Sequence, residues 1–361
     1  MTSSIPESMV AYRFHPGYSE PMAERISVPS PSPDQVLVKI LAGGVCHSDL
    51  SLIDHNNDVH KVMLQNKTKK FTIGHEGSGI IVSLGSAVPS SYPELILGAY
   101  VATYAIDACF EPSCDKCTRG LSGLCTYRAY GLNIDGFWAP YAAIRAACVV
   151  SVPGTPATIP PGVVSTATDA VLTPYHAMKA CCRLQPAHTV LCVGIGGLGY
   201  SAVAIAKRCL GVRCVVACDV RAAALEGIRD AGADYVATPD ELAALLAQHA
   251  LRVDFAFDFV GSQKTFDLCF SVIRPGGTIH VMGIAHATLN VPPLITMAKE
   301  LTYKTSSYGS KEELKEVLQA IADGVLKPKV EMRPMREAAQ VLRDMHDGKL
   351  TSRVALQPEE E

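Results

Sequence analysis

Apolar and polar positions fall into two textures along the chain. Up to about residue 150, short β-type runs such as Val36 to Leu41, Gly79 to Leu84 and Ala147 to Val152 are punctuated by Gly and Pro. This predicts a mostly β region with long loops. From about Val171, apolar strands at Thr189 to Val193, Arg213 to Cys218, Val253 to Phe259 and Thr278 to Met282 alternate with Ala-rich helices, one running through Arg208 and the next through Ala231. Such alternation predicts an α/β unit built on a doubly wound parallel sheet with helices on both faces. Beyond Thr305 the pattern predicts helices over Lys311 to Asp323 and Arg336 to Asp347 and a last strand over Arg353 to Leu356.

The 361 residues exceed what one core usually supports, so two domains are expected. Hydrophobic residues at 48%, charged residues at 19% and a net charge of -3 leave no basic stripe for nucleic acid, and the one acidic tail is Glu359 to Glu361. Met1 to Val10 lacks a basic region followed by an apolar run, and nowhere do eighteen apolar residues run together. The expectation is a soluble, cytoplasmic protein whose partner is a small molecule, with neither nucleic acid nor membrane. Of thirteen cysteines, Cys114, Cys117 and Cys125 are closely spaced and suit metal better than disulfides. Cys192, Cys209, Cys214, Cys218 and Cys269 lie in apolar stretches and are expected to be buried and inert.

Gly194, Ile195, Gly196, Gly197, Leu198 and Gly199 form a glycine-rich turn between an apolar strand and an Ala-rich helix, the context of a Rossmann dinucleotide site. Gly194 permits the tight turn, Gly196 lets the backbone approach a pyrophosphate, and Gly199 lets helix and strand pack closely, while the helix start supplies free N–H groups. Asp219, at the end of the next strand, can bind the ribose hydroxyls and repel a 2′-phosphate, which favours NAD over NADP. Arg221 follows it and would accommodate a phosphate only by turning inward.

Two clusters in the β-rich half carry metal chemistry: Cys46, His47, Ser48 and Asp49, then His75 and Glu76 between Gly74 and Gly77. A soft thiolate and an imidazole suit zinc, and a carboxylate fixes an imidazole tautomer. With these motifs the chain resembles the zinc-containing medium-chain alcohol dehydrogenase family over nearly its whole length.

The resemblance implies a GroES-like, mostly β catalytic domain over 1–170 and 306–361, with the tail packed back onto it, and a NAD-binding Rossmann domain over 171–305. It implies two zinc ions per chain. Cys46 and His75 would ligate the catalytic ion, with Asp169 as third ligand at a position where many members place a cysteine. Asp49 would support the histidine, Glu76 would lie behind the metal, and Ser48 would accept the alcohol proton. His47 and Arg353 match pyrophosphate contacts, and Thr173 matches a residue behind the nicotinamide. Cys114, Cys117 and Cys125 fit three of four structural-zinc ligands. The fourth position is Glu111 by spacing, but a two-residue extension over Phe110 to Ser113 lets Cys109 complete the site, and Cys109 is preferred.

The chain also departs from that pattern. Ser51 stands where the proton relay usually ends in a histidine, leaving His55, His47, or the cofactor ribose and water as alternatives. His176 is expected to be a helix-start histidine. The polar run Asp54 to Lys70 is expected to loop over the substrate cleft, and Phe137 and Trp138 have no functional account. The function implied is zinc-dependent hydride transfer between NAD(H) and an alcohol, aldehyde or ketone, in a homodimer or homotetramer. A biosynthetic carbonyl reductase, a polyol dehydrogenase and a non-enzymatic NAD-binding protein are the alternatives.

Overall fold

The computed structural model describes residues 5–63 and 69–359. Six parallel strands form one sheet, in the spatial order Tyr235–Ala237, Cys214–Cys218, Thr189–Val193, Val253–Asp258, Ile273–Val281, Thr302–Thr305. The first strand in sequence is thus central, and the chain winds outward from it on both sides. All five residues of Thr189–Val193 are buried, as a strand covered on both faces requires. Ligands bind such sheets at the crevice where the winding reverses, beyond the carboxyl end of this strand. The glycine turn begins there, at Gly194.

A seven-stranded sheet organises the other lobe, in the order Val330–Pro334, Arg353–Gln357, Gln35–Gly44, Glu76–Leu84, Tyr100–Thr103, Val149–Ser151, with Tyr141–Arg145 also paired to Gln35–Gly44. Its last-made strand pairs Ala355 with Gly44 and Leu356 with Gly43, so the C-terminal tail packs onto the N-terminal half. The helix Ala338–His346, which precedes that strand in the chain, lays Val341, Leu342 and Met345 among Phe14, Leu52 and Ile53. The helix Lys311–Ala322 starts at a capping box between Ser310 and Glu313 and buries Leu314, Val317, Leu318 and Ile321, one stripe at helical spacing.

Several local expectations are corrected. The helix expected through Ala231 is two short ones, Ala222–Leu225 and Ile228–Ala231, parted by Gly227 in the left-handed region at φ 68°. The strands Tyr235–Ala237 and Thr302–Thr305 went unpredicted, being short edge strands with little apolar alternation. Cys209 is half-buried, although the other four apolar-stretch cysteines are buried. His176 lies within a continuous helical run from Pro161 to Cys181 rather than at a helix start, because the chain enters that run fifteen residues earlier. Among the described residues no helix is long and apolar enough to cross a membrane.

Candidate active site and metal centres

Cys46 ends an extended segment and caps the helix His47–Ile53. Its backbone N–H donates to Asp49 Oδ2 at 2.8 Å, and the other oxygen of the same buried carboxylate lies 3.1 Å from His75 Nδ1. One side chain therefore ties both metal-type loops together and turns His75 Nε2 toward the space beside Cys46. Asp169 enters from the Pro161–Cys181 run, at a widened turn over Ala167–Val171, a geometry often found at functional sites. Thr173 Oγ1 donates to Asp169 Oδ1 at 2.6 Å, and Asp169 Oδ2 lies 3.6 Å from His75 Nε2. The ligand atoms of Cys46, His75, Glu76 and Asp169, all buried, fall within 4.8 Å of one another.

The donor set fits a cation. A thiol, an imidazole and two carboxylates share a buried space that the Arg353 guanidinium alone only partly neutralises. Arg353 donates to Glu76 Oε1 and lies 3.4 Å from Asp169 Oδ2, while Glu76 Oε2 is buried with no partner among the described residues. Burial pushes the Asp169 carboxyl up, but His75, Arg353 and Thr173 outweigh it and hold the group well below the carboxylate range. At Glu76 burial dominates and raises the group against the pull of Arg353.

Trp138, which sequence reasoning left unexplained, supports this site from behind. It is fully buried, its Nε1–H donates to the Gly44 carbonyl at 3.0 Å, and it occupies the space where a side chain at Gly74 would stand. The tryptophan thus packs between the strand leading to Cys46 and the turn leading to His75.

The second cluster joins Cys109, Cys114, Cys117 and Cys125, with sulfurs 3.8 Å apart for Cys109 and Cys117, 3.8 Å for Cys114 and Cys125, and 3.4 Å for Cys109 and Cys125. Four thiolates at tetrahedral zinc, with Zn–S near 2.3 Å, stand about 3.8 Å apart, so the spacing fits that ion. Phe110, at φ 54° in the left-handed region, turns the chain so that Cys109 faces the other three. Glu111 instead contributes its carbonyl, which accepts the Cys114 N–H at 3.0 Å.

Between the lobes lies the glycine turn. A Cβ at Gly199 would sit 2.0 Å from the Gly194 carbonyl oxygen, whereas one at Gly196 would meet nothing within 4 Å, leaving an open backbone face for a ligand. Asp219 Oδ2 accepts the Ile195 N–H at 2.7 Å, and Arg221 folds back so that its Nε lies 3.2 Å from Asp219 Oδ1. Burial would raise Asp219, but these donors hold it down and ionised. Leu198 is half-buried in the first helical turn. Arg353 reaches this turn as well, its Cδ lying where a side chain at Gly197 would go. The exposed edge of His47 shares that region. Enclosure, then the charges of Arg353 and Arg221, lower its imidazole.

Residues 32–154 match the alcohol dehydrogenase GroES-like domain family, and residues 197–323 match the zinc-binding dehydrogenase family. An alcohol dehydrogenase of Geobacillus stearothermophilus is 31% identical, with 91% of this chain and 92% of that protein covered. The chain belongs to the zinc-containing medium-chain alcohol dehydrogenase family. Alcohol dehydrogenase 1 of Emericella nidulans is 30% identical over 92% of this chain and 93% of the relative. Among solved structures, acetophenone reductase from Geotrichum candidum in complex with NAD has a TM-score of 0.85 at 29% identity, covering 98% of both chains. The alcohol dehydrogenase of Aeropyrum pernix has a TM-score of 0.85 at 27% identity, covering 97% of this chain and all of that one.

In the present chain Ser48 Oγ lies 3.7 Å from Cys46 Sγ, at the edge of the metal cluster. Ser51 is buried, and His55 packs edge-on against His60 with centroids 4.4 Å apart. The segment Asp54 to Lys70 is not a plain loop, since Asp58–Met63 is helical, and its residues 64–68 lie outside the described residues. Its start faces the cofactor lobe. Asp58 Oδ2 accepts the Ala287 N–H at 3.2 Å, beside a cavity of 520 Å³ lined by Asp54, Asn56, Asn57, Asp58, His286 and Thr288 together with Ala285. Sequence reasoning missed the bridging of Arg353 between Glu76 and the glycine turn, and nothing in the local sequence signals it.

Proposed function

We propose that this dehydrogenase oxidises an alcohol, or reduces the corresponding carbonyl, at Cys46, His75 and Asp169, with Glu76 behind them. The convergence of those four buried ligand atoms beside the glycine turn carries the reading. When bound, zinc supplies Lewis-acid polarisation of the substrate oxygen, and NAD supplies the hydride acceptor. Asp49 holds the imidazole tautomer of His75, and Thr173 orients Asp169. Ser48 accepts the alcohol proton at the cluster edge. His47, Arg353 and the Gly196, Gly197, Leu198 and Gly199 backbone bind the pyrophosphate, and the Asp219 carboxylate takes the ribose hydroxyls. The four cysteines Cys109, Cys114, Cys117 and Cys125 hold a second zinc in a closed structural site. Residues 171–305 form the cofactor domain, and 1–170 with 306–361 form the catalytic one.

Metal analysis should find about two zinc ions per chain, one for each site. Cys46→Ala should abolish turnover with NAD binding retained; an active variant would overturn the assignment. A screen of alcohols and carbonyls with NAD(H) and NADP(H), read at the nicotinamide absorbance, identifies substrate and cofactor together.

The polar cavity favours a second reading, a polyol dehydrogenase, because Asp54, Asn56, Asn57 and Asp58 offer acceptors to a hydroxylated tail. On that reading polyols exceed simple alcohols of equal length in kcat/KM.

The assembly we infer is a homo-oligomer, dimer or tetramer, paired through the cofactor domain. Leu294, Ile295, Met297 and Tyr303 are exposed on or beside the edge strand Thr302–Thr305, and exposed apolar side chains along a strand edge mark a protein contact. Eight cysteines outside both zinc clusters, none of them in a disulfide, support a reducing, cytoplasmic setting. Light scattering of the wild type and of Leu294→Arg tests the pairing: the wild type should be oligomeric and the variant smaller.

A further inference from the structure

The Pro161–Cys181 run carries a second reactive cluster, beyond the residues that build the metal site. Cys181 Sγ lies 3.3 Å from His176 Nε2, and His176 Nδ1–H donates to the Glu313 carboxylate at 2.8 Å. The carboxylate is itself fixed. Glu313 Oε2 accepts the Ser310 N–H at 2.7 Å, and the Glu313 N–H donates to Ser310 Oγ at 3.1 Å. Thiol, imidazole and oriented carboxylate in series are the arrangement by which proteins activate a cysteine nucleophile. None of the three belongs to the zinc or NAD machinery described above.

The surroundings single out this sulfur. Cys181 is half-buried and open to a small reagent, while its neighbour Cys182 is buried, its thiol pushed up to about 12 by burial, with Sγ 3.2 Å from His280 Nδ1. Lys304 Nζ donates to the Cys181 carbonyl at 2.8 Å and pins the end of the helical run. Hydrogen bonding to Cys181, then to Glu313, pushes the His176 imidazole up to about 10 and keeps its proton in place. Partial exposure beside a protonated imidazole distinguishes reactive cysteines from inert ones.

We propose that Cys181 is a reactive thiol, activated by His176 and Glu313, that is modified by small hydroperoxides. The sulfur attacks one peroxide oxygen, an S–O bond forms, and the O–O bond breaks. Sulfur loses two electrons and becomes a sulfenic acid. The peroxide is reduced: from hydrogen peroxide the departing hydroxide takes the His176 proton and leaves as water, and from an organic hydroperoxide the departing alkoxide takes it and leaves as the alcohol.

The test is brief exposure of the zinc-loaded full chain to hydrogen peroxide with dimedone present, followed by peptide mass spectrometry. Cys209, also half-buried, is the internal reference. Cys181 should be labelled about tenfold faster than Cys209. His176→Gln should remove about that tenfold advantage without changing the Cys209 rate or NAD affinity, and Glu313→Gln should reduce it. Equal labelling of Cys181 and Cys209 in the wild type overturns the proposal without recourse to any variant. So does an unchanged Cys181 rate in folded His176→Gln.

Discussion

The carboxylate of Asp49 holds His75 by its Nδ1 at 3.1 Å while its other oxygen takes the Cys46 backbone N–H, so a single fully buried side chain sets two prospective ligands at once. Asp49→Asn replaces an acceptor on one side with a donor. Zinc affinity should fall by about 10–100-fold, the usual cost of losing a histidine's supporting partner. Competition against a chromogenic chelator measures this, and NAD affinity should not change.

The glycine turn separates packing from ligand approach. Gly199→Ala places a Cβ 2.0 Å from a backbone carbonyl, so Tm should drop and the cofactor domain should loosen. Gly196→Ala meets nothing within 4 Å, so Tm should stay at the wild-type value. Its NAD Kd should nevertheless rise by about tenfold or more, because the methyl occupies the face that the pyrophosphate approaches. Thermal melts and fluorescence titration of the two variants distinguish the roles.

Cys109 and Glu111 compete for one ligand position by spacing, and the structure brings Cys109 into the thiol cluster. Cys109→Ser should lower zinc content from about two ions toward one and reduce stability. Glu111→Gln should leave zinc content unchanged. Metal analysis of both variants decides between them.

His280 yields a pH dependence. Burial, with Lys304 and His176 nearby, lowers its imidazole to about 4, against about 6.5 in an unfolded chain. Between those values the unfolded chain binds a proton that the folded chain does not. Stability therefore falls as pH drops from about 6.5 toward 4, and the loss is complete below the lower value. Between pH 7 and 5 this group should cost about 2 kcal/mol. Comparing urea denaturation of the wild type with His280→Gln at the two pH values isolates that difference from the other titrating groups.

Legibility of the fold followed sequence distance. The strand Thr189–Val193 and the glycine turn were readable residue by residue, because burial on both faces and the demands of the turn are written into adjacent positions. The grouping of Cys109 with Cys114, Cys117 and Cys125 was also local, needing only a short loop to close. Edge strands such as Tyr235–Ala237 were hidden, since their pairing comes from the neighbouring strand rather than from their own pattern. The same applies to Trp138, whose partners Gly44 and Gly74 adjoin it only after the sheet folds, and to the contact of Arg353 with Glu76. The hydroxyl of Thr173 lies one helical turn from Asp169, yet the resemblance pointed to the nicotinamide, and its hydrogen bond to the carboxylate emerged only from the geometry.

Arg353 meets Glu76 although the two stand 277 positions apart, on a strand that pairs with Gln35–Gly44. During synthesis at about 5–20 residues per second, the loops bearing Cys46, His75 and Glu76 leave the ribosome roughly a quarter of a minute to a minute before that arginine does. Throughout that interval the nascent lobe has the Cys46 thiol and the Glu76 carboxylate, joined part-way by Asp169, but neither the guanidinium nor the closing strand. Competence therefore arrives late and all at once, and a stalled chain that stops short of its final strand leaves the cluster without its counter-charge.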